Sequence, residues 1–437
     1  MQTLINALDA HDAKIVHVGQ FDYASIFRMR RFPREAFLDW ATEPRFSNVL
    51  PYWDQTDDLW AGERFFPQRV AIDPASIRRN PSEPGAVTLI AEYEGEEAPL
   101  MPRAVLRRQL ERAAAMGFAV EAAFEFEALI LEETDVSLRE KGFAGLRSFN
   151  PGHKCWSGVT HSVHADFFAG MQAEVEGHDV HLYSVGTELG PGCFEITLGR
   201  AAGLKAADDA SFFRMAARAY ARKQGKTASF MAYLGEGLPG TGGHCTMSLR
   251  DKATGRNLFA ADDGQTTALA GQFIAGMMKV VPQAFALCTS SVNAFRRLAP
   301  GSWAPKALTW AEQPHTVAVR SAPNANDRAR LEFRVPPSDT NAYLTMALML
   351  GAGLDGIEQK LPVPAQSANA HPDFIPEGAE RFPRDLSEAA DRLAASADAK
   401  RLFGAEFTAH FAATCHHEYA ALARAVSAEE RARYLEA

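Results

Sequence analysis

The chain has 437 residues, 47% of them apolar and 23% charged, and a formal net charge of −9. That length exceeds one ordinary core and predicts two domains in a globular protein; the negative charge argues against nucleic acid, whose phosphates need a basic face. Cys155, Cys193, Cys245, Cys288 and Cys415 are scattered with no CxxC pair, which argues against a disulfide framework or zinc ribbon and predicts reduced thiols.

The start, MQTLINALDAHDAKIVHVGQF, lacks a basic stretch followed by an apolar run, and no segment is apolar for long enough to span a bilayer. A cytoplasmic protein without a membrane partner is expected. Residues 1–14 read as a helix with Leu4, Ile5 and Leu8 on one face, and KIVHVGQFDY as a strand. The region 44–100 is rich in Pro, Trp and Asp and holds one clear strand, AVTLIAEYE. GEEAPLMPR, with its glycine and two prolines, precedes a strong helix, RAVLRRQLERAAAMG. This places a boundary between a small domain, 1–100, and a larger one, 103–437.

FAVEAAFEFEALIL (118–131) carries apolar side chains at every even position, while the odd positions include Glu121, Glu125 and Glu127. The period of two predicts a half-buried strand that projects Glu125 and Glu127 from one face, roughly 7 Å apart. In TELGPGCFEITLG, Glu188 and Glu195 are an odd number of residues apart, and Gly190-Pro191-Gly192 supplies the turn or bulge that returns them to a common face. An Ala-rich helix follows, then a strand, TASFMAYL, and a Gly-rich loop that leads into His244. RLEFRVPP (330–337) sets Leu331, Phe333 and Val335 on one face and Arg330, Glu332 and Arg334 on the other. The chain ends in helices.

Together the polar faces offer Glu125, Glu127, Glu188, Glu195 and Glu332, with His244 beside them. Carboxylates gathered in this way repel and desolvate one another unless cations sit among them. Oxygen-rich ligation suits Mg²⁺ or Mn²⁺ rather than zinc. With Arg297, Arg320, Arg330 and Arg334 in reach, the set has what phosphoryl transfer needs. Each piece alone also fits a solvated strand face, a loop histidine or surface salt bridges. The loop GEGLPGTGG is not a P-loop, since no GxxxxGK[ST] is present.

The motifs FEFEALI, TELGPGCFEI, KTASFMAYLGEGLPGTGGHCTMSL, NAFRRLAPGSWAP and RLEFRVPPSDTNAYLTMALMLGAGLDGI stand in the order found in one family. From about residue 15 to the C-terminus the chain resembles the glutamine synthetase superfamily. The resemblance implies an α+β fold, with a small β-grasp-like N-terminal domain and a catalytic domain whose antiparallel sheet is surrounded by helices. It implies ATP and two or three Mg²⁺ or Mn²⁺ ions as cofactors. Glu127, Glu188 and Glu195 match the ligands of one metal, and Glu125, His244 and Glu332 those of another. Ser248, Arg320 and Arg330 are expected at the nucleotide. Arg297 matches the residue that holds the substrate α-carboxylate, Gly240 the glycine that contacts glutamate, and Arg320 and Arg334 residues that steady the phosphate and the acyl phosphate. Glu127, Glu188 and His244 border the same substrate. Asp22, followed by Pro33, matches a residue that reaches the site of a neighbouring subunit in a ring, usually a dodecamer.

The departures concern the amine. Trp303, in GSWAP, stands where the family has the flap glutamate that binds and deprotonates ammonium. His315 stands in place of an arginine, Pro239 of an asparagine and Thr246 of a second histidine; the segment 361–390 contains no tyrosine to be adenylylated. An indole cannot accept a proton and prefers an apolar or cationic partner. The expected activity is therefore ATP-dependent ligation of glutamate to a primary amine less polar than ammonia, through γ-glutamyl phosphate. Asp22 and Glu312 remain as possible proton acceptors. The alternatives are plain glutamine synthesis and a non-catalytic scaffold or sensor.

Overall fold

The computed structural model describes residues 1–435 except 63, 153, 236, 300 and 370. Its first sheet is built from β1 (Ile15–Phe21), β2 (Phe27–Pro33), β3 (Arg45–Ser47), β4 (Pro67–Arg79) and β5 (Ala86–Tyr93), in the order β2-β1-β5-β4-β3. The β1–β5 pair is parallel and the other pairs are antiparallel. Val16, Val18, Val87 and Leu89 face a small core closed by Leu4 and Leu8 of the helix Gln2–Ala10 and by Phe37 of the helix Arg34–Trp40. The thirteen-residue β4 is the element that the composition of 44–100 hides. Its Pro67, Asp73 and Pro74 read as punctuation, and the register does shift between Asp73 and Arg78, so the strand survives its breakers by bulging.

The helix Pro102–Ala115 starts on a proline, which suits a first turn. Its Arg103 joins the two sheets' surroundings: the buried guanidinium donates to Asp208 at 2.9 Å, to Asp73 of β4 at 2.8 Å, and to Glu92 of β5. Breaking such a buried network costs several kcal/mol, about 3–5, because it strands a charge.

The second sheet comprises β6 (Phe118–Leu131), β7 (Leu182–Thr187), β8 (Cys193–Leu198), β9 (Ala201–Ala202), β10 (Thr227–Ser229), β11 (Gly243–Asp251), β12 (Trp310–Glu312), β13 (Val319–Ala322) and β14 (Arg330–Phe333). The main path is β12-β13-β14-β11-β6-β8-β7, with β9 and β10 also paired to β6. The expected antiparallel sheet holds except at β12–β13, which run parallel. The expected strand TASFMAYL is shorter, Thr227–Ser229; in RLEFRVPP the strand covers Arg330–Phe333, and Pro336 and Pro337, which give the ladder no N–H, lie beyond its end.

The alternation of β6 does the sorting. Phe124 and Phe126 are buried and stack on each other, and Phe126 also stacks on Phe213 of the helix Leu204–Lys223, while Glu125 and Glu127 take the opposite face. Behind the sheet the helices Ala268–Val280 and Ala342–Glu358 cross at two glycines. A Cβ on Gly276 would lie 2.0 Å from the Ala352 carbonyl oxygen, and one on Gly356 would lie 2.1 Å from that of Gln272.

Candidate active site

Register lines the polar residues up across the sheet. Glu125 of β6 pairs with His244 of β11 and with Thr197 of β8; Glu127 pairs with Glu195. Glu332 of β14 pairs with Thr246 and with Arg320 of β13. Neighbouring strands lie close to 5 Å apart, so a row of this kind must crowd its charges.

His244 Nδ1 lies 3.1 Å from Glu125 Oε1 and 3.6 Å from Glu332 Oε1. Candidate ligand atoms of Glu125, His244 and Glu332 all fall within 4.8 Å of one another. The glycines before His244 are needed for this approach. A Cβ on Gly242 would sit 2.5 Å from His244 Nε2, and one on Gly243 would sit 2.4 Å from the Pro337 carbonyl oxygen. Glu127, Glu188 and Glu195 line the same cavity as the first group. Glu127 accepts the Gly242 N–H at 2.6 Å; Glu188 accepts the Leu189 N–H at 2.9 Å and the Cys155 thiol at 3.5 Å. The turn at Gly190 (φ +92°) and Gly192 (φ +76°) uses backbone that favours glycine, and it brings Glu188 and Glu195 into one cavity.

The charges are unequal. Burial, then Glu125, Glu127 and Glu188, push the Glu195 carboxyl up to about 8. Burial also opposes ionisation of Glu125, but the His244 hydrogen bond and charge, with Arg334 and Thr197, hold it down at about 2. Glu332 likewise lies below the usual carboxylate range, against its burial, because of Arg334 and His244. It accepts from Arg320 Nη1 at 3.0 Å and from Arg334. A proton forced onto Glu195 marks a place where a cation would be more favourable, and carboxylates with one imidazole are the donors that Mg²⁺ or Mn²⁺ prefer.

These groups line a funnel of about 1480 Å³, whose lining also includes Gly240, Ser248, Arg297, Trp303, His315 and Arg330. Arg297 is 6% exposed, donates to the Val335 carbonyl at 2.8 Å, and is pushed down to about 10 by burial against the attraction of Glu127. Its stem explains Gly240, where a Cβ would lie 2.5 Å from Arg297 Cγ. Ser248 Oγ donates to the Ala329 carbonyl at 2.8 Å, and Arg330 donates to that of Arg328 at 3.2 Å. His315 titrates below its ordinary value because of burial, then Arg320 and Arg334. Trp303 stands 68% exposed on the wall.

Two sequence candidates lie elsewhere. Asp22 is outside its own chain's funnel lining; it is buried, accepting the Ile26 N–H at 2.8 Å and Arg28 Nε at 2.7 Å. Glu312 is held in β12, where it accepts the Thr266 N–H at 3.1 Å and hydroxyl at 2.6 Å, and it is also off the lining. Thr197, Cys155, Trp156 and Tyr183 enter the funnel without having been singled out. Thr197 was within reach of the period-two argument, being two residues after Glu195; the others carry no sequence signal.

The family model "Glutamine synthetase, catalytic domain" matches residues 99–434. The chain belongs to the glutamine synthetase family. Among relatives, it is 32% identical to the glutamate–isopropylamine ligase of a Pseudomonas species, over 98% of this chain and 96% of that one. It is 31% identical to the γ-glutamylethanolamide synthetase GlnA4 of Streptomyces coelicolor, over 83% and 78% of the two chains. It is 30% identical to type-1 glutamine synthetase 2 of Dictyostelium discoideum, over 99% and 86%. A solved structure described as apo GmaS without ligand superposes with a TM-score of 0.86 at 24% identity, covering both chains fully, and one described as a GmaS/ADP complex superposes at 0.85. Both share the fold of this family member. Among the described residues, no helix is long and apolar enough to cross a membrane.

Proposed function

We propose that this family member joins glutamate to an apolar primary amine at the expense of ATP. The observation that carries the reading is Trp303, exposed on the wall of the funnel that also holds the carboxylates, His244 and the arginines. The similarity to an isopropylamine ligase and to an ethanolamide synthetase supports the same reading.

In this reading a carboxylate oxygen of glutamate attacks the γ-phosphorus of ATP, and ADP leaves. The amine nitrogen then attacks the acyl carbon of γ-glutamyl phosphate, phosphate leaves, and the nitrogen loses a proton. Glu125, His244 and Glu332 would hold one divalent ion, and Glu127, Glu188 and Glu195 another; ions bound there would supply positive charge to offset that of the transferring phosphoryl group. Arg297 takes the α-carboxylate beside Gly240, and His315 borders the same end. Arg320 and Arg334 steady the phosphoryl oxygens, and Ser248 and Arg330 face the nucleotide. Trp303 gives the alkyl or aryl group an apolar wall, each buried CH₂ contributing about 0.8 kcal/mol. Asp22 serves the site of an adjacent subunit in a ring, where it accepts the amine proton.

The test is ADP release with glutamate and a panel of amines: ammonia, ethanolamine, isopropylamine, a polyamine and aniline. The expected result is an apolar amine preferred over ammonia by about tenfold or more in kcat/KM, with the γ-glutamyl amide identified by mass. Ammonia as the best substrate would replace this reading with glutamine synthesis; no ADP release with any amine would favour a non-catalytic role.

A further inference from the structure

The turn that presents Trp303 is tied from behind by one side chain. Lys306 Nζ donates to Ser302 Oγ, on one flank of Trp303, and to the Ala304 carbonyl at 2.6 Å, on the other. Ser302 Oγ in turn donates to the Arg297 carbonyl at 2.9 Å. The Lys306 backbone N–H donates to the Pro372 carbonyl at 3.2 Å, and the Gly301 N–H to the Asp373 carboxylate at 3.1 Å. Ala304 and Pro305 are buried, whereas Trp303 is 68% exposed. The short loop is thus pinned at both ends and in its middle, with a single large side chain left pointing away.

Lys306 itself is half-buried and outside the funnel lining. Among the described residues no carboxylate lies within ion-pair distance of its ammonium group. A lysine in that situation is costly unless its donors are used, and here they are used on the two neighbours of Trp303. Burial, opposed by Asp373, pushes its ammonium down to about 8. A long flexible side chain held in one geometry gives up rotamer freedom of its own, and what it fixes in return is the turn.

We infer that Lys306 is a positioning residue for amine selection: by bonding Ser302 and Ala304 it holds the Trp303 indole against the amine. The inference rests on the proposed role of Trp303. It concerns amine recognition alone, because Lys306 touches neither the carboxylate rows nor the arginines that face the phosphoryl group.

The experiment is a double-mutant cycle on the full-length protein with Trp303→Ala and Lys306→Met, read with isopropylamine and with hydroxylamine as a small amine. Lys306→Met is expected to raise KM for isopropylamine by about tenfold, the scale of one apolar contact, with KM for glutamate and ATP and turnover with hydroxylamine near wild type. In Trp303→Ala the same Lys306 change is expected to add little, since residues acting as one unit are not additive. Lys306→Arg, which can reach both acceptors, is expected to restore most of the KM. Ser302→Ala is a second route that removes one acceptor of the tie and is expected to raise the same KM. If Lys306→Met does not fold, Ser302→Ala and Lys306→Arg decide the matter. Equal loss with every amine, or additive effects in the cycle, would overturn the positioning role. If Trp303→Ala leaves the amine ranking unchanged, the reading of Trp303 fails; if it changes the ranking while Lys306→Met and Ser302→Ala do not, only the present inference fails.

Discussion

Glu195 shows how a single side chain carries the cost of the site. Its carboxyl stays protonated up to about 8, against an ordinary 4.5, because burial and the carboxylates of Glu125, Glu127 and Glu188 disfavour its charge. Between those values the folded chain binds a proton that the unfolded chain has released, so stability falls as pH rises. Histidines held low in the folded chain, such as His178 at about 4, act in the opposite sense until the unfolded chain's imidazoles, at an ordinary 6.5, have released their protons, so the Glu195 effect stands clear only about one pH unit above that value. With a chelator present, the midpoint of thermal unfolding is expected to fall from about pH 7.5 to 8. Millimolar Mg²⁺ or Mn²⁺ should remove most of that slope, and Glu195→Gln should flatten it without metal; a slope that survives Glu195→Gln would mean another group is responsible. A second expectation concerns Trp303. Trp303→Glu offers a carboxylate that favours ammonium and accepts its proton, so kcat/KM should shift toward ammonia by about tenfold relative to isopropylamine. Equal weakening with all amines would mean that the indole only packs the turn.

At the scale of elements, β6 positions the chemistry because its two faces are incompatible environments. Its even residues enter the main core and its odd residues meet His244, Thr197 and Glu195 across the ladders. This was legible from the sequence, since the period of two from Phe118 to Ala128 sorts the glutamates from the apolar residues. The row Glu332–Arg320 was legible only in part: RLEF gives the face, but the four-residue β13 was not read as a strand. The two are consecutive antiparallel strands joined by the loop 323–329. β4 was missed because Asp73 and Pro74 interrupt it, and its bulge becomes visible only beside β5. Glu312 was misplaced for a related reason. It looks like a free acid on a flap, yet Thr266 claims it from a distant helix approach. Behind the sheet, the crossing of Ala268–Val280 and Ala342–Glu358 leaves no space at Gly276 and Gly356. Gly356→Val is expected to lower stability by at least about 2 kcal/mol, as overpacking of a close helix crossing does, seen as a reduced midpoint in urea. An unchanged midpoint would mean that the helices separate freely there.

The whole molecule raises the question of where Asp22 acts. In the single chain its carboxylate is buried with Arg28, which also reaches Asp57 at 2.6 Å, and it takes no part in the funnel of that chain. Burial raises its pKa despite the Ile26 N–H and Arg28, which makes the carboxylate a stronger proton acceptor. Asn341 donates to the carbonyl of Asp22 at 3.1 Å, so the loop is fixed to the start of the helix Ala342–Glu358. A rigidly held acid that does not serve its own funnel has a clear use if subunits assemble with this loop against the next funnel, as the resemblance to the family implies. Symmetric assembly then makes each site from two chains. Asp22→Asn and Glu332→Gln should each be nearly inactive alone. Co-expressed in one assembly, they should recover up to about a quarter of the sites, because random mixing places an intact Asp22 beside an intact Glu332 in that fraction. Light scattering should meanwhile give a mass many times that of one 47.7 kDa chain. A monomer, or a mixed assembly no more active than the two variants measured separately, would remove Asp22 from the reaction and leave the proton of the amine to be taken within a single chain.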